Sequence, residues 1–170
     1  WLNNKPYLCT YRARSAIYHI LRYLKRKFHV TRVLIPSYIC KEVLVPIKMA
    51  NLDVVFVDND LKTLGIDFKS IDLRLNDVII CPNLFGLKTA IKKHMYRKKV
   101  FIIEDSASCF LRPSSYADFT VYSFGKGKEI SSSEGGLMVV NNNKFNNFLD
   151  EIELSPPGIR FEISRYIEYF

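Results

Sequence analysis

An α/β domain with a mostly parallel sheet is what the chain predicts, and three observations predict it. Short runs rich in Val and Ile recur along its 170 residues. Several of these runs are apolar without alternation, as befits strands buried on both faces. Stretches with helical spacing lie between them. Strands alternating with helices make βαβ units, which build a three-layer sandwich of helices around the sheet.

The elements follow in order. Strands are expected at V-L-I-P (33–36), V-V-F-V-D (54–58), D-V-I-I-C-P (77–82), V-F-I-I-E-D (100–105), F-T-V-Y-S-F (119–124) and G-L-M-V-V (136–140). Over 13–28 the apolar positions Ala16, Ile17, Ile20, Leu21, Leu24 and Phe28 form one helical stripe, with Arg22, Lys25 and Arg26 opposite. A second helix is expected over about 40–50, kinked or interrupted by Pro46. A third is expected over roughly 88–98. S-P-P-G at 155–158 is a clear punctuation mark. It divides an α/β body over 1–154 from a tail over 155–170, read as leading toward a C-terminal domain that this chain lacks.

Bulk properties narrow the function. Hydrophobic residues make up 48% and charged residues 25%, the balance of a globular protein. No apolar run has the length of a membrane span, so membrane insertion is not expected. The N-terminus carries no signal-peptide pattern and no initiator Met, and the chain reads as an excerpt of something longer. Cys9, Cys40, Cys81 and Cys109 are widely spaced with no C-x-x-C pair, and His19, His29 and His94 make no ligand pattern. Neither a disulfide framework nor a metal site is expected, and a reducing cytoplasm is the natural compartment. The net charge of +8 gathers at K-R-K (25–27) and K-K-H-M-Y-R-K-K (92–99). Cations at helix ends account for such runs, and no nucleic-acid-reading motif accompanies them. Nucleic acid is therefore not expected as a partner; phosphorylated small molecules suit the positive surface.

Ligands of open parallel sheets bind beyond the carboxyl ends of the strands. There the sequence places Ser37 and Tyr38, Asp58, Asn83, Glu104 and Asp105, and the stretch from Ser123 to Lys128. Lys126 and Lys128 both sit in the glycine-broken S-F-G-K-G-K-E-I-S-S-S-E-G-G (123–136). Each could be a solvated charge, a phosphate binder or a covalent catalyst. Asp105 ends a buried strand, a costly place for a carboxylate without a cationic partner.

R-A-R-S-A-I (12–17), V-L-I-P-S-Y (33–38), V-V-F-V-D (54–58), V-I-I-C-P-N-L-F-G (78–86), I-E-D-S-A (103–107) and the 123–136 stretch come in an order that resembles the DegT/DnrJ/EryC1/StrS family of pyridoxal-phosphate (PLP) sugar aminotransferases. The resemblance implies the large domain of PLP-transferase fold type I, with pyridoxal 5'-phosphate as cofactor. It implies a homodimer that moves an amino group from an amino acid such as glutamate to a keto sugar nucleotide, for cell-surface or secondary-metabolite glycans. By the family's spacing the Schiff-base lysine is Lys128, five residues after Ser123 and six before Glu134, which leaves Lys126 as a loop charge. Asp105 is implied as partner of the pyridine nitrogen, and Glu104 points the other way by strand alternation. Arg14 and Ser15, opening the first long helix, and Ser123 are implied at the cofactor phosphate.

Three positions depart from the pattern. Ser108 stands where Gln is common near the cofactor hydroxyl. Cys40 replaces an aromatic that stacks on the ring, leaving Tyr38 as the substitute candidate. Gly125 stands where His is frequent. Two rival readings remain at this stage: another fold type I reaction, or a degenerate domain that dimerises or regulates. Lysine at 128 argues against the dehydratase branch, which carries His there.

Overall fold

The computed structural model describes residues 2, 4–91 and 99–154. Along the chain run β1 (Tyr7–Thr10), α1 (Ala13–Phe28), β2 (Arg32–Pro36), α2 (Leu44–Met49), β3 (Asp53–Val57), β4 (Val78–Pro82), β5 (Phe101–Ser106), β6 (Phe119–Ser123) and β7 (Gly136–Val140). 3-10 segments at Lys41–Val43 and Asn143–Glu151 complete the set. The sheet order is β1-β7-β6-β5-β4-β2-β3. Strands β2 to β6 are parallel, whereas β7 runs antiparallel to both β6 and β1. This is the mostly parallel α/β sheet that the sequence predicts.

Helix α1 forms because its apolar residues repeat every three or four positions, and Ala16, Ile17, Ile20, Leu21 and Leu24 are all buried. Lys25, Arg26 and Lys27 occupy its last turn, where cations complement the helix dipole. His29 ends it in the left-handed region (φ 55°), its N–H donating to Lys25 O. Lys25 Nζ then donates to the carbonyls of Ala50 (3.0 Å) and Asn51 (2.7 Å), tying the end of α1 to the end of α2.

The expected helix over 40–50 is split. Residues 41–43 form a 3-10 turn, and the α-helix starts only at Leu44. Pro46 consequently falls in the first helical turn, where a missing N–H leaves no intrahelical bond unmade. Of the helix expected over 88–98, residues 88–91 are irregular and the rest lies outside the described residues, as does the tail over 155–170. Strand β1 was not foreseen. It is a four-residue edge strand paired with β7, Tyr7 facing Val139 and Thr10 facing Gly136.

Apolar cores cover both faces of the sheet. On one, α1 and α2 pack on Val33, Ile35, Val78, Ile80, Ile103, Val121 and Met138. Phe145 and Phe148 of the second 3-10 segment close the lower end against Phe119, with ring centroids 4.7 and 5.2 Å away. On the other face, Ile66, Ile79, Cys81, Ile102 and Ala117 form a second cluster. At the amino ends of the strands, Arg32 makes a bidentate pair with Asp77 (Nε–Oδ1 2.6 Å, Nη2–Oδ2 2.8 Å). The opposite, carboxyl ends of β4, β5 and β6 are left to carry chemistry.

Candidate active site

Strand register brings the key positions together. Pro82 at the end of β4 pairs with Asp105 of β5, and Asp105 pairs with Val121 of β6. Ser123 ends β6 opposite Gly136, the first residue of β7. The start of α1 reaches the same edge, because Arg12 bridges to Gly135 and its Nη2 pairs with Glu134 Oε1 at 2.8 Å. Gly136 permits this approach: a Cβ there would lie 2.5 Å from Ala13 N and from Arg12 C.

These segments enclose a cavity of about 420 Å³, within the range of small-molecule sites. Of the candidates taken from the sequence, Arg14, Asp105, Ser108, Ser123 and Lys128 all line it. Cys40 and Gly125, two of the positions that depart from the family pattern, line it as well. Ser15 and Tyr38 do not lie in its wall. The Ser15 amide donates to Arg12 O (3.0 Å) within the first turn of α1, while Tyr38 is 58% exposed and its amide donates to Asn59 Oδ1. Lys126, read from spacing as a loop charge, does line the cavity beside Lys128.

Asp105 is the buried acid of the site, only 6% exposed. Burial pushes its carboxyl upward from the ordinary range, against the pull of the Ala107 N–H, which donates to Oδ1 at 3.0 Å, and of the Lys128 charge. Such a desolvated carboxylate beside a cavity calls for a cation to complete it. Glu104, one residue earlier, faces the other side of the sheet, as strand alternation requires. It is fully buried and accepts from Asn83 Nδ2 (3.0 Å), Thr120 Oγ1 (2.9 Å) and the Ser114 amide (2.7 Å), with Lys88 Nζ 3.7 Å away. Asn83 N–H also donates to Asp105 O (2.8 Å), which fixes the strand ends to each other behind the site.

Two ion pairs of the cavity wall escaped the sequence reading: Arg12 with Glu134, and Arg14 with Glu42. Glu134 entered it only as a spacing mark. Among the described residues no group of three or more His, Cys, Asp and Glu could hold a metal ion, and no helix is long and apolar enough to cross a membrane.

The model of the DegT/DnrJ/EryC1/StrS aminotransferase family matches residues 10–161. The chain belongs to this family. A curated relative, the GDP-perosamine synthase of Escherichia coli O157:H7, is 27% identical over 107 residues, 56% of this chain and 29% of the relative. Among solved structures, the E. coli GDP-4-keto-6-deoxy-D-mannose-3-dehydratase with bound hydrated PLP superposes with a TM-score of 0.74 at 18% identity, covering 87% of this chain and 42% of that one. The sugar aminotransferase CalS13 of Micromonospora echinospora gives 0.69 at 19% identity, covering 84% and 44%. NtdA of Bacillus subtilis, with bound cofactor PMP, gives 0.75 at 19% identity, covering 86% and 36%. The structural likenesses establish the fold. The chain spans less than half the length of each of these relatives.

Proposed function

We propose that this chain is the cofactor-binding domain of a PLP-dependent aminotransferase that aminates a keto sugar carried on a nucleotide, with an amino acid such as glutamate as donor. The observation that carries the reading is Asp105 and Lys128 in the wall of one cavity, a buried carboxylate within the electrostatic reach of the lysine. The donor set fits pyridoxal 5'-phosphate. Asp105 offers the anion that a protonated pyridine nitrogen requires, and Ser108 offers a hydroxyl nearby. Arg14, paired with Glu42, and Ser123 stand where α1 begins and β6 ends, and the helix N-terminus with the Ser123 hydroxyl makes a corner suited to a phosphate.

When bound, the cofactor supplies the electron-withdrawing ring and the aldehyde carbon that carries the amino group. Lys128 would hold the cofactor covalently through its amine and, as a free amine, would move the proton at the amino donor's α-carbon. Asp105 would hold the proton on the ring nitrogen, and its own backbone is fixed by the Asn83 N–H, which donates to Asp105 O. The two lysines of the wall, Lys126 and Lys128, favour an anionic substrate such as a nucleotide sugar. A homodimer and a separate C-terminal domain, as the family resemblance implies, would complete the substrate pocket.

The test is product analysis. Incubation of the protein with PLP, glutamate and a keto sugar nucleotide should yield an amino sugar nucleotide and 2-oxoglutarate in equal amounts. A dehydrated sugar product, or no turnover across a panel of keto sugar nucleotides by the cofactor-loaded protein with its C-terminal domain present, would refute the reading.

A further inference from the structure

Lys128 sits on a turn with little stiffness of its own. Gly125 and Gly127 flank Lys126, Gly127 adopts φ +78°, and three serines follow at 131–133. Its internal bonds fold the loop onto itself: Lys128 N–H donates to Gly125 O (3.1 Å), and Ser132 N–H to Phe124 O (2.7 Å). Holding a lysine in one place on such a segment costs conformational entropy, which an external anchor offsets.

Glu129 provides a bond of another kind. Its Oε2 accepts the backbone N–H of Phe110 at 2.6 Å, across from the next loop. Phe110 is itself well placed to anchor. Its ring packs on Tyr122 (5.1 Å between centroids) and Phe124 (6.2 Å), and the hydroxyl of fully buried Tyr122 donates to Leu111 O at 2.7 Å. The 110–111 segment is thus fastened to β6, and it directly follows the turn that carries Ala107 and Ser108 into the cavity. One carboxylate therefore links the turn bearing Lys128 to the turn that follows Asp105.

We propose that Glu129 is a positioning residue: by capping the Phe110 amide it holds the Lys128 turn against the wall that carries Asp105, so that the lysine amine is set for covalent capture of the cofactor. This rests on the cofactor reading above. Its effect runs through the hydrogen bond, not through the charge, which separates it from simple electrostatic tuning of the neighbouring lysine.

The substitutions E129Q and E129A test it. Glu129 is exposed, so both variants should fold and melt with the wild type. Two quantities are read: amide hydrogen exchange at Phe110 in cofactor-free protein, and the rate at which added PLP becomes fixed on Lys128 by borohydride. E129A should speed exchange at Phe110 and slow capture, each about tenfold, the equivalent of one hydrogen bond. E129Q keeps an accepting oxygen and should stay within about twofold of wild type on both. Equal capture rates for E129A and wild type overturn the inference, as does an E129Q as slow as E129A, since charge would then be the cause. A wild-type protein that captures no PLP at all overturns both this inference and the reading on which it rests.

Discussion

Replacing Gly136 by Ala should damage both stability and the site, and the structure sets the size of the effect. The added Cβ would lie 2.5 Å from Ala13 N and Arg12 C, and 2.7 Å from Thr10 Oγ1. Two of these three atoms are backbone, so no rotamer change relieves the clash. Restoring an ordinary contact near 3.4 Å moves the start of α1 away from β7 by about 1 Å, and overpacking of this kind costs about 1–3 kcal/mol. For a protein of this size each kcal/mol shifts Tm by roughly 2–4 °C, so a fall of about 2–12 °C is expected. The same displacement carries Arg12 and Arg14 outward from the cavity wall, and a misplacement of about 1 Å can cost up to about a hundredfold in the chemistry that depends on it. Gly125→Ala is the matched control, because a Cβ there meets only Ser123 Oγ, at 3.7 Å. Thermal melts of both variants, paired with titration by PLP, decide the matter. G136A melting and binding cofactor as G125A does would refute the claim that this glycine lets α1 close on the site.

Asp105→Asn should stabilise the cofactor-free protein while abolishing cofactor retention. Burial raises the Asp105 pKa in the fold above its unfolded value, so stability is lost as pH rises through the folded pKa, and the advantage of D105N over wild type should grow above the usual carboxylate range and vanish in acid; denaturant titrations across pH check this. Arg32→Ala leaves the nearly buried Asp77 without its bidentate partner and should cost about 3 kcal/mol, measured by denaturant unfolding. Because that pair lies at the amino ends of the strands, covalent capture at Lys128 should survive. In thiol labelling, exposed Cys9 and Cys40 should react in the native protein, and buried Cys81 and Cys109, whose thiols burial pushes upward, only after unfolding. PLP should protect Cys40, which lines the cavity, and leave Cys9 reactive.

How much of this was legible depended on whether the signal was local. Helix α1 announced itself because its buried stripe repeats within sixteen residues, and strands β2 to β7 because short apolar runs survive without context. Strand β1 carried no such signal: four residues, Tyr7 exposed, are recruited by pairing with β7 some 130 positions away. Pro46 was read as an interruption because the 3-10 turn before it, which places it in a first helical turn, leaves no mark in sequence. In the site, Asp105 was legible as a carboxylate ending a buried strand, and Lys128 by family spacing. The pairs Arg12–Glu134 and Arg14–Glu42 were not, since their partners are 122 and 28 residues apart and only the fold brings them together. Lys126 shows the limit of spacing alone: two residues from Lys128 on a glycine-rich turn, it shares the cavity wall that the register assigned to its neighbour.

The central claim, that Lys128 and not Lys126 is the covalent site, is tested most directly by reducing the PLP-loaded protein with borohydride and locating the added group by fragment mass spectrometry. The predicted result is a single phosphopyridoxyl modification on Lys128, absent from K128A and retained in K126A. Modification on Lys126, or no modification at either lysine of fully folded, cofactor-saturated protein, would contradict it.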